Sequence, residues 1–389
     1  MFAFLSAARK LSGKIIAVLS LGFLAACGDG LTTSGPRIDT ARPVPVALLV
    51  PAGGGNAADD AMARSLENAA RLAMAELQGV TIDLRVYNTA GNATQAGAVA
   101  RQAVNDGAKV ILGPVYAANA AAAGSAAGGV NVLSFSNNPG IAGGNVFVLG
   151  NTFQNTANRL VRYAAASGKG RIMIVNGDNA AENLGAQAIA RAIAATPGSE
   201  QAGALSFEVS QTGVINAVRD ISDTAKSSGA DAIFLTSGTD GALPFLAQLL
   251  PENGLPPSAI QYVGLQRWDI PASARTLPGL QDGWFALPDP DLQAQFQSRY
   301  LAAYGSQPHA IAGLAYDGIA AIGALARAGN ADALTGGALT QAQGFVGVNG
   351  VFRLRGDGTT ERGLAIAQIQ NKEIVVIDPA PRSFAGAGS

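Results

Sequence analysis

Few side chains in this chain are equipped for covalent chemistry, since it carries one cysteine, Cys27, and one histidine, His309. A Ser-His-Asp site or a zinc site elsewhere in the fold would depend on that single imidazole, which follows Pro308 between two helical segments and reads as a capping or surface residue. Gly53-Gly54-Gly55 lacks the G-x-G-x-x-G spacing of a dinucleotide loop, and Asp59 and Asp60 at the next helix start would repel phosphate. What remains is a polar set at predicted strand ends: Asn56, Ser136, Asn137, Asn176, Asp178, Thr236, Ser237, Asp240 and Arg267. These residue types also make caps and turns, yet as a group they describe a cleft rim dominated by uncharged donors and acceptors. Such a rim suits a small polar ligand: Asp178 and Asp240 would hold an ammonium, while backbone amides around Tyr116 and Ala117, with the Ser136 hydroxyl, would hold a carboxylate. Trp268 and Trp284 read as core or seam residues by their apolar size. The expected chemistry is binding and not catalysis, with neither cofactor nor metal.

That rim needs strands running in one direction to carry it. Residues 44–50 form an apolar run that ends in a Gly-rich loop, after which Leu66, Ala69, Ala70, Ala73 and Leu77 recur at helical spacing and mark one buried face. Ile82, Leu84 and Val86 alternate with polar residues, which predicts a strand with one wetter face near a sheet edge. A helix from about Ala93 to Gly107, strands at 110–112 and 132–135, and an Ala-rich helix between them close a first lobe near Leu149. The pattern restarts with strands at 171–175, 204–209, 232–235 and 261–264 and helices that include 184–195 and 214–228. A short strand at 283–286, helices around 292–304 and 311–327, and antiparallel strands at 350–355, 364–370 and 373–377 follow. The fold class is α/β: two Rossmann-like lobes with parallel sheets, a cleft at the carboxyl ends of the strands, and a C-terminal antiparallel segment.

The amino-terminal stretch specifies a compartment. Arg9, Lys10 and Lys14 precede an apolar run at 15–24 that is too short to span a bilayer, which is the layout of a secretion signal. Charged residues make up 14% of the chain and the net charge is −1, so a basic nucleic-acid footprint is excluded. Leu24-Ala25-Ala26-Cys27 resembles the lipobox of bacterial lipoproteins. The resemblance implies cleavage before Cys27, lipidation of Cys27 with palmitate among its acyl groups, and anchorage on the periplasmic side of the cell envelope. Gly28 in place of Asp favours the outer membrane over the inner. Residues 1–26 are then a signal peptide, residues 27–42 a flexible tether rich in Gly, Thr, Ser and Pro, and residues 380–389 a flexible tail.

Between those ends the chain resembles type I periplasmic solute-binding proteins of the leucine-binding family. The likeness is carried by Val46-Ala47-Leu48-Leu49-Val50-Pro51, Glu67-Asn68-Ala69-Ala70, the stretch from Val104-Asn105-Asp106-Gly107 to Gly113-Pro114, Tyr316-Asp317-Gly318, and Gly347-Val348-Asn349-Gly350-Val351-Phe352 with Gly356-Asp357-Gly358. The resemblance implies one domain over residues 43–379, crossed three times between lobes, with residues 43–150 and about 280–330 in the first lobe and 151–279 and 331–379 in the second. It implies capture of a small, amino-acid-like ligand for import or sensing, with an ABC permease as partner. Amino-acid binders of this family carry Ser and Thr where this chain has Val115-Tyr116-Ala117-Ala118-Asn119. Gly113-Pro114-Val115-Tyr116 and the segment Asn131 to Asn138 look closer to penicillin-binding-protein activator lipoproteins, which implies the alternative of a peptidoglycan synthase as partner.

Cys27→Ser should remove the only acylation site. Metabolic labelling with a fatty-acid analogue is expected to mark the wild type and not the variant, because no other part of this low-charge chain can replace buried acyl carbons worth about 0.8 kcal/mol each. Equal label on both proteins would refute the lipobox reading.

Overall fold

A computed structural model describes residues 35–384. The predicted signal peptide and Cys27 lie outside them. Strand β1 (Val44–Val50) is apolar and almost wholly buried, as a strand covered on both faces must be. It is followed by α1 (Ala57–Glu76), β2 (Ile82–Asn88), α2 (Ala93–Asn105), β3 (Val110–Leu112), α3 (Ala117–Ala126), β4 (Asn131–Ser134) and β5 (Val146–Val148). These strands form one five-stranded sheet in the order β2-β1-β3-β4-β5, with parallel pairing throughout. The alternating strand β2 occupies an edge, as its pattern predicts. Helices α2 and α3 cover one face of this sheet through Ala100, Ala103 and Ala123, and α1 covers the other through Leu66, Ala69 and Ala70.

The second lobe repeats the plan with α4 (Phe153–Ala166), β6 (Arg171–Gly177), α5 (Ala180–Ala195), β7 (Glu200–Phe207), α6 (Gln211–Ser228), β8 (Ala232–Leu235), α7 (Leu243–Glu252), β9 (Gln261–Gly264) and β10 (Trp284–Leu287). The chain then returns to the first lobe. Helices α8 (Pro290–Tyr304), α9 (Ala312–Arg327) and α10 (Gly336–Leu339) and strands β11 (Phe345–Gly347) and β12 (Gly350–Leu354) bury Phe296, Ile319, Leu339, Phe345 and Phe352 in the same core as Leu48 and Leu112. Strand β13 (Thr360–Arg362) completes a small antiparallel sheet, β11-β12-β13. Strands β14 (Ala365–Gln370) and β15 (Glu373–Asp378) cross back and extend the second sheet, whose order is β15-β14-β10-β9-β8-β6-β7. The outcome is two lobes of α/β architecture, mostly parallel sheets, a three-segment hinge and a C-terminal antiparallel segment. Among the described residues no helix is long and apolar enough to cross a membrane.

The structure moves four expected boundaries. Residues 284–287 belong to the second lobe and not the first, because Trp284 and Phe285 pair with Val263 and Gly264. Residues 333–354 belong to the first lobe, where their apolar side chains fill its core. The expected tether of residues 27–42 ends early: Ile38 is buried in the first lobe, its N–H donates to Ala331 O at 2.9 Å, and Arg37 pairs with Asp332 at 3.2 Å. The expected tail of residues 380–389 is held as far as Phe384, which is buried under the Arg353 guanidinium at 4.7 Å from the ring centroid.

Both tryptophans are core residues. Trp268 is fully buried beside Phe285, and Trp284 meets Tyr163 edge to face at 4.9 Å. Backbone approaches are equally tight: a Cβ on Gly279, in the short turn that packs on α7, would stand 1.7 Å from the carbonyl oxygen of Ala247. No side-chain rotation relieves a clash with backbone. Gly279→Ala is therefore expected to destabilise the protein by about 2 kcal/mol or more, read as a lower urea midpoint with little change in slope.

Candidate functional site

Where the carboxyl ends of β9 and β10 in the second lobe approach the starts of α8 and α9 in the first, the lobes flank a half-open cavity of about 290 Å³ beside the hinge. Its wall comes from both lobes and from the crossing segments. Phe153, Leu265, Leu287, Ile311, Leu314 and Leu364 supply apolar surface, and Asn151, Gln266, Arg267, Gln293, Asn349 and Arg362 supply polar groups. Arg267 is oriented by Asp269, with Nε 2.9 Å from Oδ1. An apolar wall with a few placed polar groups is the usual make-up of a small-molecule site.

A buried ion pair holds the hinge side of this cavity. Arg362 Nη1 lies 2.9 Å from Asp317 Oδ2 on α9, and both side chains are all but fully buried. Nε donates to the carbonyl of Leu149 at 2.9 Å, and the guanidinium stacks 4.8 Å above the Phe352 ring. Asp317 Oδ1 accepts from Val348 N–H at 2.8 Å, and its Oδ2 also accepts from Asn349 Nδ2 at 3.0 Å. Asn349 Oδ1 in turn accepts from Gln293 Nε2 at 3.1 Å. On the opposite side, Arg362 N–H donates to Asn155 Oδ1 at 3.0 Å. The first and third crossings thus meet at one guanidinium, through Leu149 and Arg362 itself.

The ten residues expected to contact ligand fall into two groups, and none of them lines the hinge cavity. Five are buried or committed to structure. Thr236 and Ser237 donate to Glu182 Oε2 at 2.8 and 2.7 Å, and the same oxygen accepts from Gly177 N–H at 2.6 Å. One carboxylate therefore ties the ends of β6 and β8 together, and the two hydroxyls organise the lobe. Asn176 is buried and donates to Asn183 Oδ1 at 2.9 Å. Ser136 is buried, its Oγ accepting from Asn138 N–H at 3.1 Å. Asn56 is exposed but caps α1, with Oδ1 2.9 Å from Ala58 N.

The second group stands more openly. Asn137, Asp178 and Asp240 are exposed, and Ala117 begins α3, which has no side-chain cap on its first-turn amides. Tyr116, at the cap position of α3, hydrogen-bonds Asp59; that bond, with partial burial, holds its phenol above the ordinary value. A Cβ on Gly238 would meet Asp240 Oδ1 and Gln266 Oε1 at 2.7 Å each, so this glycine keeps two converging acceptors close. Gln266 is fixed in turn by donating to the Thr236 carbonyl at 3.0 Å. Asp240 consequently stands next to the cavity wall. His309 is exposed, with Nδ1 accepting from Ile311 N–H at 3.4 Å, a local turn role. Among the described residues no group of three or more His, Cys, Asp or Glu is placed to hold a metal ion.

Glu182 was legible as the fourth residue of a capping box that starts at Asn179, whose Oδ1 accepts from Glu182 N–H at 3.0 Å. Arg362 carries no such local signal. It sits in a three-residue strand, and its partner Asp317 is 45 residues away.

Two lobes joined by a three-segment hinge around a ligand-sized cavity define a hinged binding protein. The chain belongs to the periplasmic binding protein family, whose profile matches residues 43–373. Solved structures share the fold. A putative branched-chain amino acid ABC transporter protein from Rhodospirillum rubrum superposes with a TM-score of 0.73 at 21% identity, covering 86% of this chain and all of that one. An ABC transporter substrate-binding protein from Desulfitobacterium hafniense in complex with Leu gives 0.63 at 18% identity over 86% of this chain and 100% of its own. A solute-binding protein of an ABC transporter from Rhodopseudomonas palustris BisB5, in complex with 3,4-dihydroxybenzoic acid, gives 0.57 at 18% identity over 87% of this chain and 96% of its own. No curated protein sequence matches the chain significantly. The likeness to penicillin-binding-protein activators gains no support from these comparisons.

Glu182→Gln keeps the size of the side chain and replaces an acceptor oxygen with a donor amide facing Gly177 N–H, Thr236 and Ser237. The variant should lose about 1–3 kcal/mol of stability. Hydrogen exchange should quicken at the ends of β6 and β8 before it changes in the first lobe.

Proposed function

We propose that this protein is the capture component of an ABC importer, anchored through lipid on Cys27 at the periplasmic side of the cell envelope, and that it holds a small, polar, amino-acid-like ligand between its lobes. The observation that carries this reading is the cavity of about 290 Å³ walled by both lobes at the hinge, since a ligand there makes contacts that exist only when the lobes are together. Asp240 with Gln266 Oε1 offers converging acceptors for an ammonium, and Asp178 offers a second carboxylate on the same rim. The exposed Asn137 and the uncapped first turn of α3 at Tyr116 and Ala117 supply further polar contacts from the facing lobe. Family membership and the transport proteins that share the fold support the same role; two of those hold carboxylic acids, leucine and 3,4-dihydroxybenzoic acid.

The test is a thermal-shift screen of protein lacking residues 1–27 against amino acids, short peptides and small organic acids. A true ligand at 100 times its Kd should stabilise the fold by about 2.7 kcal/mol, because it binds only the folded state. Small-angle scattering with that compound should show a more compact particle. A broad library in which nothing shifts the melting temperature would remove capture as the protein's task.

A further inference from the structure

Arg362 lines the hinge cavity at 5% exposure, and two of its three donor nitrogens are committed, Nε to Leu149 O and Nη1 to Asp317. The third, Nη2, is buried and has no hydrogen-bond partner among the described residues. A guanidinium donor left unpaired away from water is costly, and hydrogen bonds between a cation and a carboxylate are among the strongest available to it. Neighbouring polar groups on the wall already serve one another. Asp317 accepts from Val348 N–H, Asn349 Nδ2 and Arg362 Nη1, Asn349 Oδ1 accepts from Gln293, and Asn151 donates to Thr156 at 2.8 Å while accepting from Asn155 at 2.7 Å. Arg267 places a second guanidinium on the same wall.

We infer that the hinge cavity is an acid subsite: Arg362 Nη2 takes the carboxylate of a small ligand whose apolar body packs between Leu265 and Leu287 of the second lobe and Ile311 and Leu314 of the first. This deepens the capture reading and rests on it. It assigns the acid end of the ligand to the hinge instead of the α3 amides, and leaves Asp240 and Gln266 to meet an amine at the mouth. It also gives the ligand a direct hold on the crossing segments, because the residue that meets the acid is the one that ties Leu149 to Asp317.

Three six-carbon probes separate the contributions: L-leucine, 4-methylpentanoate, which lacks the ammonium, and leucinamide, which lacks the acid. By titration calorimetry on the protein without residues 1–27, both acids should bind and leucinamide should bind at least about tenfold more weakly than leucine. Arg362→Lys keeps a cation opposite Asp317 but removes Nη2; it should weaken both acids about tenfold and leave leucinamide unchanged. Leu314→Trp fills the cavity from the first lobe without touching the ion pair and should abolish binding of all three while the unliganded protein still melts cooperatively. Should Arg362→Lys not fold, the acid-to-amide comparison and Leu314→Trp decide the matter alone. Leucinamide binding as well as leucine, or acid binding that survives either substitution, would overturn the acid subsite while leaving capture at the rim intact. Binding of none of the three also overturns it, and capture is then judged separately by the library screen.

Discussion

The Arg362–Asp317 ion pair is the interaction that fixes the last crossing of the chain against the first lobe. A charge pair removed from water stays favourable only when geometry and extra hydrogen bonds repay the lost hydration. Here Asp317 has three donors in all, and the guanidinium has a carbonyl and an aromatic face besides its partner. Those additional contacts come from Val348, Asn349 and Phe352 of the first lobe and from Leu149 at the first crossing, so satisfying the pair requires the third crossing, which carries Arg362, to dock on that lobe. Specificity of assembly and retention of a buried charge are thus the same fact. Removing one partner would strand the other, an effect of about 3–5 kcal/mol in comparable sites.

A second carboxylate, Glu182, does for the second lobe what Asp317 does for the hinge. It collects a backbone N–H and two hydroxyls from the ends of adjacent strands. Preorganisation of this kind lowers the entropy a rim must lose when it meets a ligand, since the loops are already placed. Thr236 and Ser237 are thereby committed to the scaffold, and under the proposed capture role recognition would fall to exposed side chains at the mouth and to the apolar wall behind them.

How much of this could be read from residues alone depended on the range of the interaction. Runs such as Val44–Val50 and Ala232–Leu235 announce buried parallel strands, and the alternation in Ile82–Asn88 announces an edge, because both signals are local. Strands β5, with Val-Phe-Val, and β13, with Thr-Glu-Arg, are too short for any period to show. The assignment of β10 to the second sheet and of β11 and β12 to the first depends on pairing partners remote in sequence, which hydrophobic pattern does not encode. At the site, the residue types at strand ends suggested a polar rim, but none of the ten residues expected to meet ligand lines the hinge cavity. Which members were already bonded to one another was not legible, because Glu182 reaches Thr236 and Ser237 across more than 50 residues. The hinge cavity escaped notice for the same reason: its wall is assembled from six separated stretches of chain.

The docking of Ile38 has a geometric consequence for the lipid-anchored form proposed above. Ile38 lies just before the amino end of β1, and the parallel strands carry the cleft at their opposite ends. An attachment at that pole would point the mouth away from the bilayer. Were Cys27 acylated as proposed, the 11 residue steps from it to Ile38 could span at most about 40 Å. On that proposal the span would let the body capsize about its attachment point and bring the mouth down to a partner embedded in the same membrane, so the length of the connecting segment, more than surface affinity, would set how often the two meet.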